Sequence, residues 1–298
     1  MAVRDIRNPV QWTWDHVRET DHFVDWMDRA ARRGREARDG HPTIRRIEVS
    51  DLREVLVNGL RDFGAYRTDV IFLCLVYPIA GLVLAHLAFG YGMLPLIFPL
   101  AAGFALLGPI AAVGLYEMSR RREEGREITW IDAFGVIRSP AFGSILVLGL
   151  VLVGIFLLWL MAAQLIYDMT LGPEPPASVG TFLADVITTG AGWAMIVIGM
   201  GVGFLFAALV LAISIVSFPL LLDRDIGLGA AVRTSIRAVR INPMPTAAWG
   251  LIVAVSLALG SIPFFVGLIV VLPVLGHATW HLYRRMIMPP SEPLQENA

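Results

Sequence analysis

The chain has 298 residues, 56% hydrophobic and 16% charged, with a net charge of −1 and a mean hydropathy of +0.66. That is too apolar for an ordinary soluble domain of this length, so the core is expected to be built in lipid. The near-zero charge gives no sign of a nucleic-acid binder, and a single cysteine, Cys74, excludes an intrachain disulfide and a cysteine-built zinc or iron–sulfur site.

Residues 1–43 form a polar tail in which Trp12, Trp14, Phe23, Trp26 and Met27 are scattered among charges. It lacks an apolar signal core, so no cleavable signal is expected and insertion should begin at the first hydrophobic helix. The tail reads equally as a surface helix, a partner-binding arm or a segment ordered only on binding.

All 24 basic residues are arginines. They fall in four clusters, Arg4 to Arg67, Arg120 to Arg138, Arg224 to Arg240, and Arg284 with Arg285. The intervals 68–119, 139–223 and 241–283 contain none and are overwhelmingly apolar. Each is long enough for two membrane helices of roughly 20 residues and a turn. An even number of crossings per interval returns every cluster to one side, which the positive-inside rule makes cytoplasmic. The sequence therefore predicts an all-α polytopic membrane protein with six transmembrane helices in three hairpins and both termini inside. The spans are placed at about 70–89, 94–116, 142–167, 192–222, 246–261 and 264–283 within a domain of residues 44–285, followed by a cytoplasmic tail, 286–298.

The segment before each hairpin has helical periodicity. In the first, Leu52, Val55, Leu56, Leu60 and Phe63 form an apolar face opposite Arg53, Glu54, Asn58, Arg61 and Asp62, with Asp51 and Glu54 as a capping box and Gly64 as the stop. In the second, Thr129 and Asp132 form a box, Trp130, Ala133, Phe134 and Ile137 the stripe, and Ser139-Pro140 the stop. In the third, Leu228, Ala231, Val232, Ile236 and Val239 oppose Arg233, Arg237 and Arg240, and Asn242-Pro243 ends the run. Short helices of this kind are expected to lie in the headgroup layer with arginines toward anionic lipid; the alternative is that they pack on the inner end of the bundle. Residues 181–189, beyond the breaker-rich loop Gly172-Pro173-Glu174-Pro175-Pro176, are read as lying along the outer membrane face.

Within the spans no Asp, Glu or Arg lies away from the ends, which argues against an ion-coupled pump with a mid-membrane carboxylate. The polar residues there are His86, Gln164, Ser214, Thr279, His277 and His281. Gln164 is expected to bond between helices or to sit at the outer interface. His277 and His281, at i and i+4, share a helix face compatible with a metal or haem edge. With no third ligand nearby in sequence, and with Trp280, Tyr283, Arg284 and Arg285 flanking them, the favoured reading is a cytoplasmic interfacial belt. His86 should lie roughly 20 Å away in depth, too far to share a metal with them. Gly199, Gly203 and Ala207 place small residues four apart and predict close packing inside the bundle. Pro78, Pro99, Pro109, Pro219, Pro263 and Pro273 should kink or end helices, and freed carbonyls could line a cavity. No nucleophile elbow, P-loop, zinc-protease or dinucleotide fingerprint is present. No catalytic residue, metal ligand or cofactor is therefore assigned. His277, His281, Glu117, Asp223, Arg233, Arg237 and Arg240 are the candidate functional surface.

Three stretches carry a family resemblance: Ala102-Gly103-Phe104-Ala105-Leu106-Leu107-Gly108-Pro109 with Gly114-Leu115-Tyr116-Glu117-Met118-Ser119-Arg120-Arg121; Phe218-Pro219-Leu220-Leu221-Leu222-Asp223; and Pro273-Val274-Leu275-Gly276-His277-Ala278-Thr279-Trp280-His281-Leu282-Tyr283-Arg284. The chain resembles, from about Pro42 to Arg285, the bacterial integral-membrane family catalogued as domain of unknown function 2189. The resemblance implies a polytopic inner-membrane protein and no particular activity. The middle stretch, through Ser235 and Asn242, is also similar to the membrane domain of some glycerophosphodiester phosphodiesterases, whose catalytic domain is absent here. A haem–copper oxidase subunit, a label sometimes attached to the family, does not fit six spans with so few histidines at suitable depth.

The reading that follows is a non-enzymatic membrane scaffold or assembly factor engaging anionic lipid and a membrane-protein partner. A transporter or channel for a small or amphipathic solute is the alternative, and a haem or metal protein through His277 and His281 a third class.

Overall fold

The computed structural model describes residues 42–65, 79, 82, 83, 86, 93–126, 129–263 and 265–289. Within them the protein is helical. In chain order the helices are α1 (Asp51–Ala65), α2 (Ile97–Ala111), α3 (Val113–Glu123), a 3₁₀ segment (Trp130–Arg138), α4 (Phe142–Thr170), α5 (Val179–Thr188), α6 (Gly190–Ser214), α7 (Ser217–Asp223), α8 (Leu228–Ile241), α9 (Pro243–Ser261) and α10 (Leu268–Met286).

Four stretches are long and apolar enough to cross a membrane: Leu94–Glu123, Phe142–Thr170, Gly190–Asp223 and Pro243–Ser261. They correspond to the expected second to fifth spans. The expected first span, 70–89, lies almost wholly outside the described residues. The sixth is shorter than expected, because residues 265–267 form turns, with Phe265 in the left-handed region at φ 65°, and helix begins only at Leu268. α10 is not among the four stretches. It is a core helix, with Leu268, Ala278, Trp280, Leu282, Tyr283 and Met286 fully buried, and it packs against α1, α3 and α9.

α1 settles on α10 through a stripe different from the one its hydrophobic residues suggest. Leu52, Val55, Gly59 and Asp62 are the buried set, spaced three to four residues apart and so on one helix face. Leu60 is 55% exposed. The reason is Gly59: a Cβ built there would lie 2.6–2.8 Å from the backbone and Cβ of Ala278, so only glycine allows the two helices this close. The docked face turns Asp62 inward and Leu60 outward, which corrects the assignment of Asp62 to the solvated face. The Asp51/Glu54 box is also corrected. Asp51 accepts from the backbone N–H of Glu48 at 2.8 Å, while Glu54 pairs with Arg285.

The box at the second segment is present, with Asp132 accepting from the Thr129 N–H at 2.8 Å and from its hydroxyl at 3.0 Å. That segment is a 3₁₀ helix rather than an α-helix. Three residues per turn align every third side chain, so Ile131, Phe134 and Ile137 form one exposed apolar row, while Ala133 and Val136 are buried. α8 buries Ala230, Ala231, Thr234, Ser235 and Ala238, a face of small residues against the bundle. α1 and α8 thus follow the packed-connector alternative on one side, and the 3₁₀ segment leaves an apolar row exposed.

α5 exists where residues 181–189 were expected to lie along the membrane face. Ser178 caps it by accepting from the Thr181 N–H at 3.1 Å, and it has no buried residue. The reversal into α6 requires Gly192, where a Cβ would meet the carbonyl oxygens of Asp185 and Val186 at 2.3 Å. The expected small-residue seam is realised at Gly203, whose added Cβ would stand 3.1 Å from the Trp159 ring, whereas Gly199 faces open space. Gln164 bonds within its own helix, donating to Asp168 at 2.8 Å, instead of between helices.

The two ends of the described chain are tied together. Ile44 and Ile287 form an antiparallel bridge, flanked by Arg45 N–H to Met286 O at 2.8 Å and Met288 N–H to Thr43 O at 3.0 Å. Asn242, which stops α8 as expected, also holds this strap: its carbonyl oxygen accepts from the Ile47 N–H at 2.8 Å and its amide donates to Arg45 O at 3.1 Å.

Candidate functional site

At the end of the bundle where α1, α3, α7 and α10 meet, the arginines and acids of the sequence form a layered polar network. Its centre is Asp62, buried with its side chain 7% exposed. One carboxylate oxygen accepts from the Ser119 hydroxyl at 2.6 Å and bonds His281 Nε2 at 2.9 Å; the other receives Arg122 at 2.8 Å. Ser119 in turn stands 2.8 Å from His277 Nδ1. Because its proton points to Asp62, the arrangement calls for the Nδ1–H tautomer of His277. The Nε2 atom of His277 is buried without a hydrogen-bond partner.

This geometry corrects the interfacial-belt reading. His277 is fully buried and His281 faces Asp62, so neither ring is turned to headgroups. The α1–α10 contact at Gly59 and Ala278 brings Asp62 over them. Among the described residues no three His, Cys, Asp or Glu side chains are grouped to hold a metal. Ser119, His277 and Asp62 do converge, but in an order unlike a nucleophile–base set: the carboxylate holds the hydroxyl proton and does not orient the imidazole.

A second set surrounds Glu117, whose side chain is 3% exposed. It accepts from Arg120 at 2.9 and 3.0 Å and from Arg121 at 2.7 Å, and Arg121 continues to Asp132. A third surrounds Asp223, which accepts from the Tyr283 hydroxyl and lies 3.6 Å from both Arg224 and Arg284. Arg284 joins the third set to the first through Glu123 at 3.0 Å. The candidates His277, His281 and Asp223 are therefore parts of linked polar layers, and Glu117 holds a set of its own. Arg233, Arg237 and Arg240 stand apart: they are exposed on α8, and no ion pair of theirs occurs among the described residues.

Burial opposes ionisation of Asp62, but hydrogen bonds from His281 and Ser119 outweigh it and hold the carboxyl below the usual range. The Thr129 backbone N–H does the same for Asp132. A depressed folded-state value means that both carboxylates contribute stability above their ordinary value of 3.8 and lose it as pH falls through the folded values. These two carboxylates should make thermal melting in detergent fall below about pH 4, and Asp62→Asn should remove part of that acid sensitivity.

Two openings adjoin the network. A polar crevice of about 260 Å³ is bordered by Glu117, Arg120, Arg121, Arg138, Asp223 and Arg224. A larger apolar crevice of about 480 Å³ lies among α2, α6, α9 and α10. Pro109, one of the expected kink positions, borders it, and no charged side chain is among its described lining.

Long apolar helices closed at one end by a paired ionic layer define a multi-pass integral membrane protein. Residues 97–223 match the model of the family described as "Predicted integral membrane protein (DUF2189)", which bears out the resemblance. The match includes the first two resembling stretches and stops before the third, around His277 and His281. No curated protein and no solved structure matches the chain.

Ser119, Asp62, Arg122 and Asn242 were not singled out as functional by sequence reasoning. The one local signal was Gly59, a glycine inside the stripe that Leu52 and Val55 begin.

Proposed function

We propose that the protein is a non-enzymatic scaffold or assembly factor of the bacterial inner membrane, with six spans and both termini cytoplasmic. The observation that carries this reading is the α8 face of Arg233, Arg237 and Arg240, exposed and without ion pairs among the described residues. Five other described arginines, Arg120, Arg121, Arg122, Arg224 and Arg284, are paired with Glu117, Glu123, Asp62, Asp132 or Asp223. Three exposed guanidinium groups on α8 suit an anionic leaflet, where each is worth about 1 kcal/mol, and the exposed row of Ile131, Phe134 and Ile137 on the 3₁₀ segment suits its apolar side. The ionic layers do structural work in this reading, and the lipid-facing arginines and the tail, 1–43, engage headgroups and a membrane-protein partner.

The rival, a transporter for a small or amphipathic solute, draws on the 480 Å³ crevice. Its described lining is mostly apolar and carries no charged side chain to compensate an ion, so an apolar or amphipathic occupant is the version that survives.

Lipid selectivity tests the main reading. Spin-labelled phosphatidylglycerol should be preferred over spin-labelled phosphatidylcholine around the reconstituted protein. Arg233→Gln, Arg237→Gln and Arg240→Gln combined should reduce that preference by more than tenfold, and salt should mimic the change. An unchanged preference in the triple variant would remove the lipid-facing role.

A further inference from the structure

The apolar crevice has a polar end and an open side. Its described lining includes four hydroxyl-bearing residues, Tyr116, Ser214, Thr246 and Thr279. Ser214 donates to Val210 O at 2.6 Å and Thr279 to Leu275 O at 2.7 Å, each within its own helix. Thr246 does not follow them. Its hydroxyl is buried without a hydrogen-bond partner. A buried hydroxyl left bare is costly, and its residue lines the crevice.

All four residues lie toward the ends of their helices that carry the ionic layers. From there the crevice runs along Trp249 and Leu257 toward the middle of the spans. Phe204 on α6 and Leu251 on α9 line its side, yet they are 70% and 65% exposed. Both belong to stretches long and apolar enough to cross the membrane, an arrangement that turns the opening toward hydrocarbon. A void of this size would forfeit dispersion contacts along its whole wall. Its size and mostly apolar lining with one available polar group are those of a small-molecule site. At the polar end, Arg240 is exposed and is the immediate neighbour of Val239, which lines the crevice.

We infer that the crevice is a specific site for one acyl chain of a glycerophospholipid, entering sideways from the bilayer. The chain lies along Trp249 and Leu257, the Thr246 hydroxyl donates to the ester carbonyl, and the headgroup stays beside Arg240. The inference rests on the lipid-engaging reading above and deepens it: the protein holds a chosen lipid as well as a charged leaflet. The lateral opening and uncharged lining favour a bilayer lipid over a solute arriving from water.

The test uses the full-length protein in mild detergent. After exhaustive detergent exchange, about one phospholipid per chain should remain bound. Brominated-acyl phosphatidylglycerol, titrated in, should quench a saturable part of the tryptophan emission that is missing in Trp249→Phe. Ala254→Phe, which adds bulk at the exposed side of the crevice without disturbing a buried contact, should weaken retention about tenfold or more, the loss of roughly two buried methylenes or more. Thr246→Val keeps the shape, removes the donor and should cost about fivefold. Equal retention in Ala254→Phe, quenching that persists in Trp249→Phe, or a free fatty acid in place of phospholipid would overturn the assignment. Because Ala254→Phe leaves Arg233, Arg237 and Arg240 in place, its lipid-shell preference should be intact. A cavity that binds nothing beside an intact preference sinks this inference alone, and an unchanged preference in the arginine variant sinks the broader reading.

Discussion

Asp62→Ala is expected to destabilise the protein by about 3–5 kcal/mol, the cost of removing one partner of a buried, hydrogen-bonded charge pair. The carboxylate is the shared acceptor of Ser119, His281 and Arg122. Alanine would leave Arg122 without its 2.8 Å partner and strand two further polar groups between α1, α3 and α10. Those three helices have no other shared side-chain acceptor of this kind among the described residues. The loss should register as a fall in thermal midpoint and as protease sensitivity in α1. Asp62→Asn, which keeps two of the acceptor contacts without the charge, should fall between alanine and wild type. A midpoint within experimental scatter of wild type for Asp62→Ala would show that the network is ornamental to stability.

The second large effect is steric. Gly59→Val places a branched side chain where even a methyl would stand 2.6 Å from Ala278 Cβ and 2.7 Å from its backbone nitrogen. No rotamer escapes, because the conflict is with backbone, so α1 must lift from α10. The overpacking cost is about 1–3 kcal/mol or more, to which the separation of Asp62 from His281 adds. Gly59→Ala should do most of the same damage, in contrast to Gly64→Ala, where open space surrounds the site and replacing glycine in a helix should be neutral to stabilising. Thermal midpoints of the three variants check the order. Gly59→Ala matching Gly64→Ala would contradict the close helix contact.

Particular residues show what could be read in advance. The arginine-free intervals marked the apolar helices because lipid admits little else, and Thr129 with Asp132 marked a helix start because capping is local. Asn242-Pro243 marked a stop for the same reason. The role of Asp62 was hidden, since hydrophobic periodicity assigns a charged residue to the outside and cannot register a partner 219 positions away. His277 and His281 were placed at the membrane surface by their aromatic and arginine neighbours, yet the Gly59 contact encloses them under α1. The 3₁₀ form of Trp130–Arg138 was missed because Ala133 and Ile137 fit an α spacing, while the row of Ile131, Phe134 and Ile137 fits a three-residue turn. Thr246 had no sequence signature, since a threonine in the first turn of a membrane helix ordinarily bonds backward along its own backbone.

The ionic layers and the free arginine face together describe a protein that is rigid at one end and presents a surface there. The measurement closest to that claim is isolation of the tagged full-length protein from its own membrane in mild detergent, with stoichiometric companions identified by mass spectrometry. It is run beside a variant lacking residues 1–40 and beside the Arg233, Arg237 and Arg240 triple variant. A scaffold predicts a reproducible companion in fixed ratio that is lost or depleted in at least one variant while the protein stays folded. A homogeneous protein with no companion, and with variants indistinguishable from wild type, would contradict the scaffold and leave lipid or solute handling as the function.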